Sequence, residues 1–111
     1  MSIKEKNIVD VAVLSISGKL MGGEETKAVH EKVKDITAAG TKKVVIDLSK
    51  VKWLNSSGLG TLISCLTSVQ SANGSLKITG ATEKVNSLFM MTKLITVFDT
   101  YDTVQEALVT F

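Results

Sequence analysis

The 111-residue chain has no arginine and no proline, and only one cysteine and one histidine. Without arginine there is no planar fork for bidentate contact with guanine or phosphate, and the 13 cationic residues, all lysine, act as point charges. They are scattered among 11 acids for a net charge of +2, and no basic stripe stands out along the sequence. Nucleic acid is therefore not an expected partner. Cys65 alone forbids an intrachain disulfide and fits a reducing compartment. His, Cys and carboxylates are nowhere clustered, so neither a metal nor another cofactor is expected. The region from Met1 to Asp10 mixes Lys4, Glu5, Lys6 and Asp10 with single apolar residues. It has neither the apolar run of a signal peptide nor a membrane span, and the expectation is a cytoplasmic protein away from membranes.

The hydrophobic share of 44% is enough for a core, and the length suits a single domain over residues 1–111. With proline absent, glycine and asparagine punctuate the chain. Ile3 to Ile8 suggests an edge strand, and Val9 to Ser17, with Val11, Val13 and Ile16, a second strand ended by Gly18. The link between them is too short for a crossover, so the pair should be antiparallel. Gly22-Gly23 leads into a helix over about 24–39, with Glu24 and Glu25 in its first turn and Val29, Val33 and Ile36 on one face. Lys42 to Leu48 is a strand whose continuous apolar run predicts burial on both faces.

A helix follows over about 57–72, with an apolar face of Leu59, Leu62, Ile63, Leu66 and Val69, stopped at Asn73-Gly74. Leu76 to Thr79 makes a short strand. Thr82 caps a helix carrying Val85, Leu88 and Phe89, and Ile95 to Phe98 is the expected last strand. Asp102 and Gln105 have capping-box spacing for a final helix, buried along Val104, Ala107, Leu108 and Phe111. Strands alternating with helices imply an α/β layer with parallel pairs.

The run Trp53-Leu54-Asn55-Ser56-Ser57-Gly58-Leu59-Gly60 sets two hydroxyls where a strand hands over to a helix. A serine there is either an N-cap or an exposed hydroxyl where a phosphate is electrostatically welcome. The roles coexist if Ser57 caps while Ser56 projects outward. Gly58 and Gly60 read as packing residues at the helix entrance. Trp53 is either core or an exposed anchor for a partner, and Leu54 faces the core. One of Met90 and Met91 should be core and the other exposed. Cys65 reads as a structural thiol and His30 as a surface residue.

Together with Asp47-Leu48-Ser49 before it, this run resembles the signature of STAS domains, and more narrowly that of bacterial anti-sigma factor antagonists, whose usual form is an acid followed by Ser-Ser-Gly-Leu-Gly or Ser-Thr-Gly-Leu-Gly. Gly18-Lys19-Leu20, Val85-x-x-Leu88-Phe89-x-Met91-x-x-Leu94 through Phe98, and Ala107-Leu108 extend the likeness over nearly the whole chain. The resemblance implies a mixed, curved sheet of four or five strands packed against about four helices. It also implies a transcription regulator that is not an enzyme. Such a protein binds an anti-sigma factor that is also a serine kinase, is released when its serine is phosphorylated, and is restored by a serine phosphatase. Carried over, the modified residue is Ser56, and the binding surface comprises Met21, Gly22, Trp53, Asn55, Ser56, Ser57, Gly58 and Leu59. Two positions depart from the pattern. Asn55 stands where the family has an acid, and Met21 where it often has an aspartate. These departures support an alternative, a STAS scaffold or small-ligand sensor that is not phosphorylated.

The enzyme readings are thin. The motif is not the G-x-S-x-G of a nucleophile elbow, and no P-loop is present. Asp47 alone does not make the acidic pocket of a response-regulator receiver. A small hydrolase using Ser56 would need His30 beside it.

Overall fold

Consecutive β-branched residues put Val44, Val45 and Ile46 at the centre of the molecule, each with no exposed surface. The computed structural model describes residues 2–93 and 97–111. Around that centre run β1 (Ser2–Ile8), β2 (Val11–Leu20), α1 (Gly23–Ala38), β3 (Lys43–Leu54), α2 (Ser56–Ser71), β4 (Ser75–Thr79), α3 (Glu83–Met91), β5 (Asp99–Tyr101) and α4 (Val104–Leu108). The five strands lie in the order β1-β2-β3-β4-β5. β1 is antiparallel to β2, as its short link requires, and the remaining pairs are parallel. The mixed α/β architecture expected from the sequence is thus present.

Alternation along each strand separates two faces. Ala12, Leu14, Ile16, Val44, Ile46, Leu48, Leu76 and Ile78 belong to the main core with the stripes of α1, α2 and α3. Val11, Val13 and Val45 point the other way, onto Ala107 of α4, with Ile8, Tyr101, Val104, Leu108 and Phe111 around them. The short α4 covers β4, β5 and the first halves of β2 and β3. Beyond Ser15 and Asp47, that face of the sheet is bare.

Several expectations need correction. β2 runs through Gly18 to Leu20, and β3 continues past Leu48 to Leu54. Past Asp47, β3 no longer pairs with β4 but stays paired with β2 through two register shifts, which break the alternation that the sequence displays. Ile63 lies at the margin of the α2 stripe and is 38% exposed. Met90 and Met91 are both exposed, because the inward positions of α3 are taken by Val85 and Phe89. Ile95 and Thr96 lie outside the described residues. The last strand starts after Phe98, whose ring packs 5.6 Å from that of Phe89. The cap of α4 is Thr103, whose hydroxyl accepts from the Glu106 N–H at 3.2 Å, one residue later than the expected capping box. Cys65 is fully buried, and burial pushes its thiol up to about 12.

Lys77 is buried on the α4 face. Its Nζ donates to Asp99 Oδ2 at 3.0 Å, to the Tyr101 hydroxyl at 3.4 Å and to Thr110 Oγ1 at 2.6 Å. It also lies 5.1 Å from the Tyr101 ring centroid and 4.8 Å from that of Phe111, joining β4, β5 and the C-terminal segment. Burial by itself lowers the ammonium's pKa, but its hydrogen bonds to Asp99 and Tyr101 outweigh it and hold the group above the ordinary 10.5. A raised folded value means that this stabilisation is complete below 10.5 and fades as pH rises through the higher folded value. Lys77→Met should cost about 1–2 kcal/mol in urea unfolding at neutral pH. The gap from the parent chain should close in alkali; a gap that stays constant there would reject the charged network.

The β1–β2 turn holds Val9 at φ 55, a conformation that a β-branched residue rarely adopts, with the side chain 97% exposed. Nothing is gained from its packing. Val9→Asn should therefore raise stability by about 1 kcal/mol, read as a higher Tm in a thermal melt.

Candidate functional site

The β3–α2 junction is organised by Asn55, which follows the last strand residue in an extended conformation, φ −104 and ψ −172. Its side-chain Oδ1 accepts from the Gly58 N–H at 3.0 Å, which caps α2. Its Nδ2 donates to the Met21 carbonyl at 2.9 Å. Its own N–H donates to the Leu20 carbonyl at 3.1 Å, and its carbonyl accepts from the Leu59 N–H at 2.9 Å. Neither serine is the cap, contrary to the reading that gave the role to Ser56 or Ser57. Both fall inside the first turn, and both hydroxyls are free of hydrogen bonds among the described residues.

Two glycines let the β2–α1 loop lie against that turn. A Cβ at Gly58 would sit 2.3 Å from the Leu20 carbonyl oxygen, so only glycine permits the approach of α2 to the end of β2. Gly22 adopts φ +98, and a Cβ there would lie 3.3 Å from Ser57 Cβ. Thr26, which is buried, pins the loop: its hydroxyl accepts from the Gly22 N–H at 2.9 Å and donates to the Gly22 carbonyl at 3.0 Å. Sequence reading missed Thr26, although a hydroxyl four residues past a glycine pair is a visible signal for such a staple. Gly60 meets nothing within 4 Å, so the packing role expected for it belongs to Gly58 alone.

The expected surface residues therefore separate by environment. Ser56, Ser57 and Met21 are exposed, while Gly22 and Asn55 are half-buried, and these five adjoin one another. Gly58 and Leu59 are buried, and their contribution is packing. Trp53 is 38% exposed but belongs to β3, where it alternates with the core residue Leu54 and pairs with Lys19. Its side chain is on the strand face opposite that core.

No carboxylate or cation belongs to the five clustered residues. The local field combines the backbone with Glu24 and Glu25, which stand in the first turn of α1 just past Gly22. Both α1 and α2, each of 16 residues, begin here, and their first N–H groups carry partial positive charge. His30 is half-buried rather than surface, and its Nε2 is 2.7 Å from Ser68 Oγ between α1 and α2. Twelve residues of helix, about 18 Å, separate Ser68 from Ser56. His30 is thus no base for that serine, and the hydrolase reading fails. Among the described residues no group of His, Cys and carboxylates could hold a metal, and no helix is long and apolar enough to cross a membrane.

Comparison with known proteins agrees with this geometry. The chain is 29% identical over 102 residues to a Thermotoga maritima protein named "Putative anti-sigma factor antagonist", spanning 91% of this chain and 90% of that one. A crystal structure from the same organism under the same description superimposes with a TM-score of 0.87 at 28% identity, covering 96% of this chain and 91% of the other. The phosphorylated form of the Bacillus cell-fate determinant SpoIIAA shares the fold, with a TM-score of 0.74, 14% identity and 96% of each chain covered. The STAS domain model matches residues 2–107, and the chain belongs to the STAS domain family.

Proposed function

We propose that this protein is an anti-sigma factor antagonist that acts by switching partners. In its unmodified form it binds an anti-sigma factor that is also a serine kinase; phosphorylation of Ser56 ends that contact, and a serine phosphatase restores it. The observation that carries this reading is the Ser56 hydroxyl, exposed in the first turn of α2 and relieved of capping by Asn55. Its likeness to relatives named for sigma-factor regulation points the same way.

The chemistry follows from the site. A phosphoserine adds about −1.5 to −2 charges at neutral pH. Ser56 stands in the first turn of α2, where negative charge is favoured, so the fold tolerates it. A partner covering Met21 and the serines would have to desolvate the dianion, and the complex weakens. The switch needs a change in surface charge and no change in fold.

A second reading, a STAS scaffold or sensor that is not phosphorylated, draws on the bond from Asn55 Nδ2 to the Met21 carbonyl. A carboxylate at position 55 could still cap α2 but could not donate to Met21, so this chain holds its loop by a contact that an acid does not make.

Incubation with an ATP-dependent serine kinase that binds the chain should add one phosphate, mapped by mass spectrometry to Ser56. Addition solely at Ser57 would reject the assignment to Ser56, and no addition at all would favour the second reading. Ser56→Asp should weaken partner binding at least severalfold, while stability changes by less than about 0.5 kcal/mol. Comparable loss of folding would mean that the serine is structural.

Asn55→Ala should cost about 1–2 kcal/mol through the lost cap. Asn55→Asp should keep most of that stability and instead speed amide hydrogen exchange around Met21 and Gly22, which lose their tether. If the two variants behave alike, the bond to Met21 has no role.

A further inference from the structure

Lysines that look scattered in the sequence are gathered by strand register. The antiparallel pairing sets Lys4 opposite Ser15 and Ser2 opposite Ser17, and the parallel pairing sets Ser17 beside Lys50 and Lys19 beside Trp53. By alternation in β1 and β2, and by their pairing with Lys50 and Trp53 beyond the first register shift, these residues share the face on which Val11, Val13 and Val45 meet α4, but they lie beyond the reach of that helix. Lys32, Lys43 and Lys77 form ion pairs, whereas among the described residues Lys4, Lys6, Lys19 and Lys50 form none. Asp47 is on the same face, its carboxylate accepting from Ser49 and Thr79, and its single negative charge stands against four lysines. The face carries uncompensated positive charge.

A cavity of about 60 Å³ opens in it, lined by Ser2, Lys4, Ser15, Ile16, Ser17 and Lys50. Ser2 Oγ and Ser17 Oγ are 2.6 Å apart, so one hydroxyl proton joins them and the other remains to donate outward. The Ser15 hydroxyl and two ammonium groups add further donors from three strands. A single water needs about 10–15 Å³ of such space, so the cavity has room for a small tetrahedral oxyanion. The lining offers ammonium and hydroxyl donors, with no carboxylate to repel an anion.

The geometry points to a binding site for a phosphoryl group on the open face of the sheet, held by Lys4 and Lys50 with the hydroxyls of Ser15 and the Ser2–Ser17 pair. The ligand comes from outside the chain's own switch. Four residues of strand separate Lys50 from Leu54, about 13 Å, before the helix bearing Ser56 begins.

The test is a backbone-amide NMR titration of the unmodified chain with inorganic phosphate and, separately, with O-phosphoserine, each matched by sodium chloride at equal ionic strength. Saturable shifts at Lys4, Ser15, Ser17 and Lys50 that chloride does not reproduce are expected. Tighter binding of phosphoserine would identify a phosphorylated polypeptide as the source, and tighter binding of phosphate the free ion. Lys4→Gln and Lys50→Gln, both at exposed positions, should each weaken binding about five- to tenfold and leave the remaining spectrum unchanged. Shifts that never saturate, that chloride matches, or that centre on the start of α2 would overturn the site. No kinase or partner is involved, so failure here leaves the Ser56 switch untouched, and the reverse holds too.

Discussion

The carboxamide of Asn55 binds the two halves of the candidate site to each other. One end accepts the Gly58 N–H and starts α2; the other donates to the Met21 carbonyl and holds the β2–α1 loop against it. Few side chains can do both, because the task needs an acceptor and a donor on one short planar group. Aspartate supplies only acceptors, and serine has one oxygen for both duties. The bare contact between Gly58 and the Leu20 carbonyl depends on the same arrangement, since the loop and the helix start must arrive together for that approach to be made.

This clamp explains why a serine can serve as a switch here. A capping serine, once modified, would have to exchange its own hydrogen bond to the backbone for bonds from the phosphoryl oxygens, so the first turn would rearrange with every switch. With the cap assigned to Asn55, Ser56 can change its charge while the first turn stays in place. The neutral rim matters as well. With no carboxylate among Met21, Gly22, Asn55, Ser56 and Ser57, a single phosphoryl group takes these five residues from neutral to about −2. At a rim that was already acidic, the same group would alter only the degree of charge.

Much of the scaffold was legible because apolar period sets it. The stripe of α1, the doubly buried run of β3 and the antiparallel start all follow from spacing and link length, and Val29, Val33, Ile36 and Val44–Ile46 lie where that spacing puts them. The legible part ended where pairing replaces hydrophobicity. The far half of β3 mixes Ser49, Lys50 and Lys52 with the core residues Val51 and Leu54 out of strict alternation, and it is held as a strand by β2 alone, while β5 is three residues, Asp-Thr-Tyr, with no apolar pattern. The cap was ambiguous for a different reason. Asn55, Ser56 and Ser57 are all good caps by type, and what decides among them is the Met21 carbonyl, which is 34 positions away in sequence.

The lysine-rich face was hidden by the same limit. Period-two spacing in β1 hints that Lys4 and Lys6 share a side, but nothing local says that Lys19 and Lys50 join them, because that depends on the register of one antiparallel and one parallel pair. Nor does the sequence say that α4, at five residues, stops short of covering them. Coverage decides the chemistry. Where α4 lies, Lys77 is buried and satisfied by Asp99, Tyr101 and Thr110; where α4 is absent, lysines on the same sheet face stay unpaired in solvent. The shortness of α4 leaves that part of the sheet uncovered, and the chain presents two electrostatically distinct surfaces, the uncharged cluster at the start of α2 and a cationic one across the first three strands.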